Sequence, residues 1–152
     1  MIETYKAYYR SEIGLIIITG TKEGILSLDF VDEEPIDNPD YPPILERCVE
    51  QIDEYFIGKR REFSLNLTPR GTDFQQKVWK QLMKIPYGET VSYKHIATSI
   101  GDAKAVGAVG NANGKNRISI IIPCHRIIGS DGTLTGYGGG LWRKEWLLNH
   151  ER

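Results

Sequence analysis

The sequence predicts a small α/β unit in residues 1–69 and a mainly helical unit in residues 70–152 that contains a helix-turn-helix. Three observations support this prediction. In the first half, strand-like segments precede a segment with helical spacing. Pro and Gly interrupt the pattern at residues 68–71, where the charge balance also changes. In the second half, two short segments that begin with N-cap residues are joined by a glycine.

The first half is rich in Tyr, Ile and Leu up to residue 31 and then shows the apolar spacing of one helix face. Strands are predicted at residues 5–10, 12–19 and 24–31, a helix at 44–56 and a short strand at 62–67. An acidic, proline-bearing loop at residues 32–40 precedes the helix. Cys48 falls on the apolar face of this helix, so we expect it to be a buried core residue. We find no catalytic constellation in this half.

The second half is predicted to begin with a helix that Thr72 caps and that runs through Ile85. Ser92 is expected to cap a short helix to about residue 100, and Asp102 a second one to about residue 113. Glycines inside the second helix cost roughly 0.5–1 kcal/mol each relative to alanine. Their presence indicates close approach to another surface, either a DNA groove or a neighbouring helix. A buried strand at 117–123, a glycine-rich loop at 135–140 and a helix at 141–150 complete the prediction.

Charge is distributed unevenly along the chain. Residues 1–69 contain 7 Lys and Arg against 14 Asp and Glu, whereas residues 70–152 contain 12 against 6. The basic half indicates either a surface that meets a polyanion or attraction between the two halves. No apolar stretch has the length of a membrane span, and no cysteine and histidine spacing suits zinc. We therefore expect a cytoplasmic protein without a metal or other cofactor.

The chemistry is expected at Cys124, which stands in the run Pro123-Cys124-His125-Arg126. An imidazole and a guanidinium beside a thiol favour the thiolate, which is the reactive form. Neighbouring side chains of an extended segment point in opposite directions, so the backbone must turn here if the two side chains are to act together. A third group should orient the histidine, and the spacing leaves Glu145 and Glu151 as alternatives. Acyl transfer, disulfide exchange and attack on an alkyl group all fit such a thiol, and a buried structural cysteine is the alternative.

These residues resemble the O6-alkylguanine-DNA alkyltransferases. The similar segments are residues 87–93 (YGETVSY), 113–116 (NGKN), 122–129 (IPCHRIIG), 135–141 (TGYGGGL) and 144–151 (KEWLLNHE). The resemblance covers roughly residues 72–151 and implies a ribonuclease-H-like α/β fold for the first half. It also implies the activity of a methylated-DNA–[protein]-cysteine S-methyltransferase, which acts once. An alkyl group would pass irreversibly from O6-alkylguanine in double-stranded DNA to Cys124.

The same resemblance implies roles for further residues. Glu151 would orient His125, which would take the thiol proton through a water molecule, and Asn116 would brace the turn before the cysteine. Tyr93 would rotate the 3′ phosphate and donate a proton to the departing guanine. Substrate and DNA contacts are expected at Ser92, Lys104, Ala105, Gly107, Arg126, Ile127, Tyr137 and Gly138, with the backbone near Cys124 reading the extruded base.

Gly107 departs from the pattern of the family. The relatives carry an arginine there, which fills the space left by the flipped base, and no arginine lies in this predicted helix. We therefore expect weaker flipping and slower repair of duplex DNA. The protein is expected to act as a monomer. Two alternatives are a protein that recognises alkylguanine with weak or no repair and a cysteine hydrolase or transferase acting on small molecules.

Overall fold

A computed structural model describes residues 2–35 and 39–152, so part of the predicted acidic loop, residues 36–38, lies outside the described residues. The chain divides into two compact units, Met1–Arg70 and Gly71–Arg152. No helix in the described ranges is long and apolar enough to cross a membrane.

The first unit is a three-stranded antiparallel sheet with one helix against it. Strands β1 (Tyr5–Ser11), β2 (Gly14–Gly20) and β3 (Ile25–Val31) pair in the order β1-β2-β3, and helix α1 (Pro43–Phe56) packs on the sheet. The register sets Ala7 and Leu28 on either side of Ile18, so one sheet face is apolar and buried. The helix buries Leu45, Cys48 and Ile52. The three strands, the helix and the buried position of Cys48 are thereby confirmed.

The strand predicted at residues 62–67 is wrong. Only Leu67 bridges to β3, through Ile25. The side chain of Gln51 in α1 instead accepts a hydrogen bond from the Ser64 amide (2.9 Å) and donates one to the Ser64 carbonyl (3.2 Å). A side chain thus satisfies the backbone groups that a neighbouring strand would have paired.

The second unit begins with helix α2 (Asp73–Leu82), for which Thr72 and Gln75 form a capping box. The helix ends at Leu82, three residues before the predicted end, and turns lead to Pro86. Helix α3 (Tyr93–Ser99) begins after Ser92, whose hydroxyl accepts the amide of His95 at 3.0 Å. Both helices pack on helix α4 (Val106–Gly114), and the α3–α4 pair forms the predicted helix-turn-helix.

Helix α4 begins later than predicted. Asp102 does not cap it, because the Asp102 carboxylate accepts the amide of Lys104 and its carbonyl accepts the amide of Ala105, which closes a turn ahead of the helix. Ala105 is the N-cap residue. The final helix, α5 (Leu141–His150), has the predicted bounds, although Leu141 is exposed and Lys144, Leu147 and Leu148 are the buried positions.

The four isoleucines of the segment 117–123 are buried, as expected, but the segment is not a strand and Arg117 is exposed. These isoleucines lie in consecutive turns, with hydrogen bonds from the Ile121 amide to Ser119 (2.8 Å) and from the Ile122 amide to Ile118 (3.0 Å). Ile120 has a φ of 72°, a conformation that is uncommon for a β-branched residue. The chain then forms a 3-10 helix at Cys124–Arg126, and strand β5 (Ile127–Ile128) pairs in parallel with β4 (Val91–Ser92).

Candidate functional site

Cys124 begins the single turn of 3-10 helix, directly after Pro123. This turn supplies the change of backbone direction that a thiol and its neighbouring imidazole need if they are to cooperate. The Arg126 amide closes it on the Pro123 carbonyl at 3.0 Å. Cys124 is 6% exposed and His125 is fully buried.

The turn is braced by the side chain of Asn116. Its amide nitrogen donates to the carbonyl of Ile122 (2.8 Å) and to that of Ile118 (3.4 Å), while its oxygen accepts the Ile118 amide (3.1 Å). One amide thus holds both ends of the segment that contains the strained Ile120. Backbone strain of this kind costs about 1–3 kcal/mol and persists only where surrounding contacts impose it.

His125 is oriented by Glu151 and not by Glu145, which is exposed. The Nε2 atom of His125 lies 2.7 Å from Oε2 of the buried Glu151. Because Arg126 also binds this carboxylate, the carboxylate accepts the hydrogen bond and Nε2 carries the proton. The other ring nitrogen, Nδ1, is then the basic one, and no protein atom of the described residues bonds to it. Burial lowers the pKa of His125, and the nearby Glu151 opposes this shift, so the ring is held neutral and able to accept a proton.

Arg126 lies in the interior of the unit, whereas the sequence placed it among the DNA-binding residues. Its Nε and Nη2 atoms donate to Glu151 at 2.8 and 3.1 Å, and Nη1 donates to the Ile85 carbonyl at 2.7 Å. The ring of Tyr87 covers the guanidinium at 5.7 Å. A DNA contact is not expected from this side chain, because its guanidinium is buried and paired with the Glu151 carboxylate.

The expected lowering of the cysteine pKa by its two neighbours is also wrong. Burial raises the pKa of the Cys124 thiol, while a hydrogen bond from Asn116 and the positive charge of Lys144 act in the opposite direction. His125 is neutral, and Arg126 is committed to Glu151. The resting side chain is therefore a thiol that must lose its proton to a base when it reacts.

Lys144 is a site residue that the sequence interpretation missed. Its side chain is fully buried, and its Nζ donates to the carbonyls of Ile127 (2.6 Å) and Thr135 (2.7 Å). Burial lowers the pKa of Lys144 to about 8. Through these two hydrogen bonds, Lys144 connects strand β5 to the glycine-rich loop. A lysine within the similar segment KEWLLNHE was the available signal, but spacing alone does not distinguish a buried lysine from an exposed one.

Three further polar contacts were also missed. Asn113 in α4 is buried and approaches the Cys124 carbonyl at 3.5 Å, which links the second helix of the helix-turn-helix to the cysteine. Tyr93, at the start of α3, has its hydroxyl 2.5 Å from that of Thr135. The Gly88 amide donates to Glu151 at 3.2 Å.

The remaining predicted residues divide into two groups. Ile127 is buried beside the cysteine, Tyr137 is half-buried and Gly138 is exposed on the loop. The others lie at the N-terminal ends of the paired helices: Ser92 and Ala105 are half-buried, and Lys104 and Gly107 are exposed. A Cβ atom on Gly107 would meet nothing within 4 Å, so a side chain there has room. No cluster of His, Cys, Asp and Glu that could hold a metal exists within residues 2–35 and 39–152.

Two family models match almost the whole chain. Residues 4–69 match the ribonuclease-like domain of 6-O-methylguanine DNA methyltransferase, and residues 73–152 match its DNA-binding domain. The chain is 49% identical to a methylated-DNA–protein-cysteine methyltransferase of Methanosarcina barkeri over 97% of its length and 96% of the relative. It is 44% identical to the constitutive enzyme of that name from Bacillus subtilis, with 97% and 95% covered.

Solved structures agree with these matches. The O6-methylguanine methyltransferase of Mycobacterium tuberculosis superposes with a TM-score of 0.88 at 45% identity, covering 98% of this chain and 93% of that one. A structure of Mycobacterium tuberculosis OGT in complex with DNA gives 0.88 at 47% identity, with 96% and 91% covered. The resemblance and the fold class inferred from the residues are thereby confirmed. This chain belongs to the 6-O-methylguanine DNA methyltransferase family, the methylated-DNA–protein-cysteine methyltransferases.

Proposed function

We propose that the protein repairs DNA by moving the alkyl group of O6-alkylguanine irreversibly to Sγ of Cys124. The observation that carries this proposal is the buried pair of His125 and Glu151, 2.7 Å apart, directly beside a thiol whose pKa is raised. Such a thiol needs a positioned base, and His125 is neutral with Nδ1 available as the acceptor.

The chemical step begins when the thiol proton of Cys124 passes to Nδ1 of His125 through a water molecule. The Sγ–carbon bond forms as the carbon–O6 bond breaks, and the bonding electrons leave with guanine. Tyr93 gives its hydroxyl proton to the guanine ring, and its oxygen regains a proton from solvent, while His125 releases one. In sum, one proton moves from the thiol to guanine. The product is a thioether, which has no route back, so each molecule acts once.

Recognition of the substrate requires the base to leave the helix, because O6 of guanine lies within the duplex. Flipping a nucleotide costs a few kcal/mol, which contacts with the phosphates and the base must offset. We assign the phosphate contacts to the exposed ends of α3 and α4, near Ser92 and Lys104. Backbone groups at Ile127, Tyr137 and Gly138 would read the base. The exposed Gly107 has no side chain with which to fill the gap in the duplex, so we expect slow flipping.

Intact-protein mass spectrometry tests the proposal. After incubation with a duplex that contains O6-methylguanine, the wild-type protein should gain one methyl group and the Cys124→Ser variant none. Cys48→Ala is the matched control and should gain the group as the wild type does, since burial raises the pKa of the Cys48 thiol to about 12. Binding of the duplex without any gain in mass would refute repair and favour a recognition protein. The cytoplasmic location and the monomeric state stay predictions.

A further inference from the structure

We propose that Thr135 is a positioning residue for this reaction and that it acts through Tyr93. The inference rests on the proposed function, in which the Tyr93 hydroxyl meets the substrate. The hydroxyls of Tyr93 and Thr135 lie 2.5 Å apart, which is a short hydrogen bond between two side chains 42 positions apart in the sequence.

Thr135 is held firmly on its other side. Its carbonyl accepts a hydrogen bond at 2.7 Å from Nζ of Lys144, and the same nitrogen donates to the Ile127 carbonyl at 2.6 Å. The lysine is fully buried, so this contact is shielded from water. Charge-assisted hydrogen bonds of this kind are stronger than neutral ones. The Thr135 backbone therefore has a fixed place relative to the strand that follows Cys124.

The position of Tyr93 has a different origin. It is the first residue of α3 and follows Ser92, which caps that helix. Its ring also packs near Gly110 of α4, since a Cβ atom on that glycine would lie 3.7 Å from the ring. The hydroxyl pair consequently connects the paired helices to the glycine-rich loop and, through Lys144, to the strand beside the reactive cysteine.

The direction of the hydrogen bond gives this pair its chemical role. Either hydroxyl can donate. If Thr135 donates to the Tyr93 oxygen, the phenolic hydrogen is free to point at the substrate. When Tyr93 gives that hydrogen to the departing guanine, the oxygen left behind carries negative charge, and the Thr135 hydroxyl is already oriented towards it. Preorganised donors aimed at developing charge need no rearrangement during the reaction. Thr135 itself exchanges no proton with the substrate.

A double-mutant cycle on the methyl-transfer rate tests this inference. With the full-length protein in excess over a methylated duplex, Thr135→Val should slow the transfer step about tenfold, the usual order for loss of one hydrogen bond to a charged group. Thr135→Ser keeps the hydroxyl and should stay within about twofold of the wild type. In a Tyr93→Phe background, Thr135→Val should have no further effect, because its partner oxygen is gone. Affinity for unmethylated duplex should change in none of the Thr135 variants.

The outcomes separate a positioning role from a structural one. Equal losses in Thr135→Val and Thr135→Ser, or additive losses in the double variant, would overturn the inference. If Thr135→Val does not fold, Thr135→Ala takes its place in the same cycle, with thermal melting to verify folding. A wild-type protein that gains no methyl group would instead refute the proposed function. A reacting wild type with an unaffected Thr135→Val would refute this inference alone.

Discussion

Replacing Arg126 by methionine tests how the buried charges control His125. The guanidinium donates to Glu151 at 2.8 and 3.1 Å and to the Ile85 carbonyl at 2.7 Å. Methionine fills much of the volume but leaves the buried carboxylate without its guanidinium. Removal of one partner of a buried ion pair costs about 3–5 kcal/mol. Since 1 kcal/mol lowers Tm by roughly 2–4 °C in a chain of this size, we expect Tm to fall by roughly 6–20 °C.

The same substitution should change the protonation of His125. Burial lowers the pKa of His125 most, the charges of Arg126 and Lys144 lower it further, and Glu151 raises it. Without Arg126 one lowering cause is lost, so the pKa of His125 rises in the variant. A larger fraction of His125 is then protonated, and a protonated ring cannot accept the thiol proton. Methyl transfer by Arg126→Met should therefore be slower than wild type at neutral pH and should recover as the pH increases.

The lowered pKa of His125 also determines how the free energy of unfolding changes with pH. In the wild type, folded His125 binds a proton less readily than unfolded His125, whose pKa is about 6.5. The unfolded state then binds more protons below about pH 6.5, and the free energy of unfolding falls as the pH drops through that region. In Arg126→Met this fall should weaken, because folded His125 takes up its proton more easily. Thermal melting from pH 5.5 to 8 measures both slopes.

Arg152→Met is the matched control for this experiment. Arg152 is exposed and bonds to the side chain of Asn149 at 3.2 Å, so its loss should change stability by less than about 0.5 kcal/mol. If Arg126→Met melts like this control and retains the wild-type pH profile of methyl transfer, the proposal that Arg126 helps to keep His125 a neutral base is refuted.

Three further predictions follow from separate contacts. Gly107→Arg should speed repair of duplex DNA and tighten DNA binding, since a side chain there has room. Gly107→Ala is the control for the gain in helix propensity of about 1 kcal/mol. Equal repair rates in both variants would contradict a role for the arginine side chain in flipping. Lys144→Met removes the hydrogen bonds to the Ile127 and Thr135 carbonyls, which should lower the free energy of unfolding, measured by chemical denaturation, by roughly 1–3 kcal/mol for each. It also removes a positive charge that lowers the pKa of Cys124, so alkylation of Cys124 by a thiol reagent should be slower. Thr72→Ala removes the capping box and should lower the free energy of unfolding by about 1 kcal/mol, while the rate of methyl transfer stays unchanged. A larger loss of stability or a slower transfer would show that Thr72 does more than cap its own helix.

Elements set by local chemistry could be predicted from the sequence. Thr72 and Ser92 cap their helices because a side-chain oxygen reaches an amide three residues on, a contact that needs no distant partner. The three strands followed from their Tyr, Ile and Leu content and the glycines at a turn, and they pair with strands that are adjacent in the chain. The resemblance likewise pointed to Glu151, while the spacing alone left two glutamates open. Glu145 is exposed on α5 and Glu151 is buried at its end, but the sequence pattern alone does not distinguish these two environments.

Elements set by tertiary contacts could not be predicted in this way. The isoleucines of residues 117–123 have the composition of a strand. The Asn116 side chain instead donates to the carbonyls of Ile118 and Ile122, the segment between them forms turns, and Ile120 has a positive φ. Arg126 and Lys144 belong to residue types that are mostly exposed, and both are buried here. Their partners are Glu151 and two carbonyls, which come from other parts of the chain. Local patterns carry no information about such partners.

The raised pKa of Cys124 suits the proposed function, in which each molecule acts once. Any soluble electrophile that alkylates this thiol removes a repair molecule without repairing DNA, and such reagents react with the thiolate. Burial keeps the thiolate scarce in the resting protein, while Asn116 and Lys144 limit the shift, so the anion is still reachable when a base removes the proton. The proposed base is His125, which burial and the charge of Arg126 keep neutral and which the hydrogen bond to Glu151 holds in one tautomer. In the proposed reaction, methyl transfer requires the base, the thiol and a correctly placed alkyl carbon at the same time, and the flipped guanine would supply that carbon.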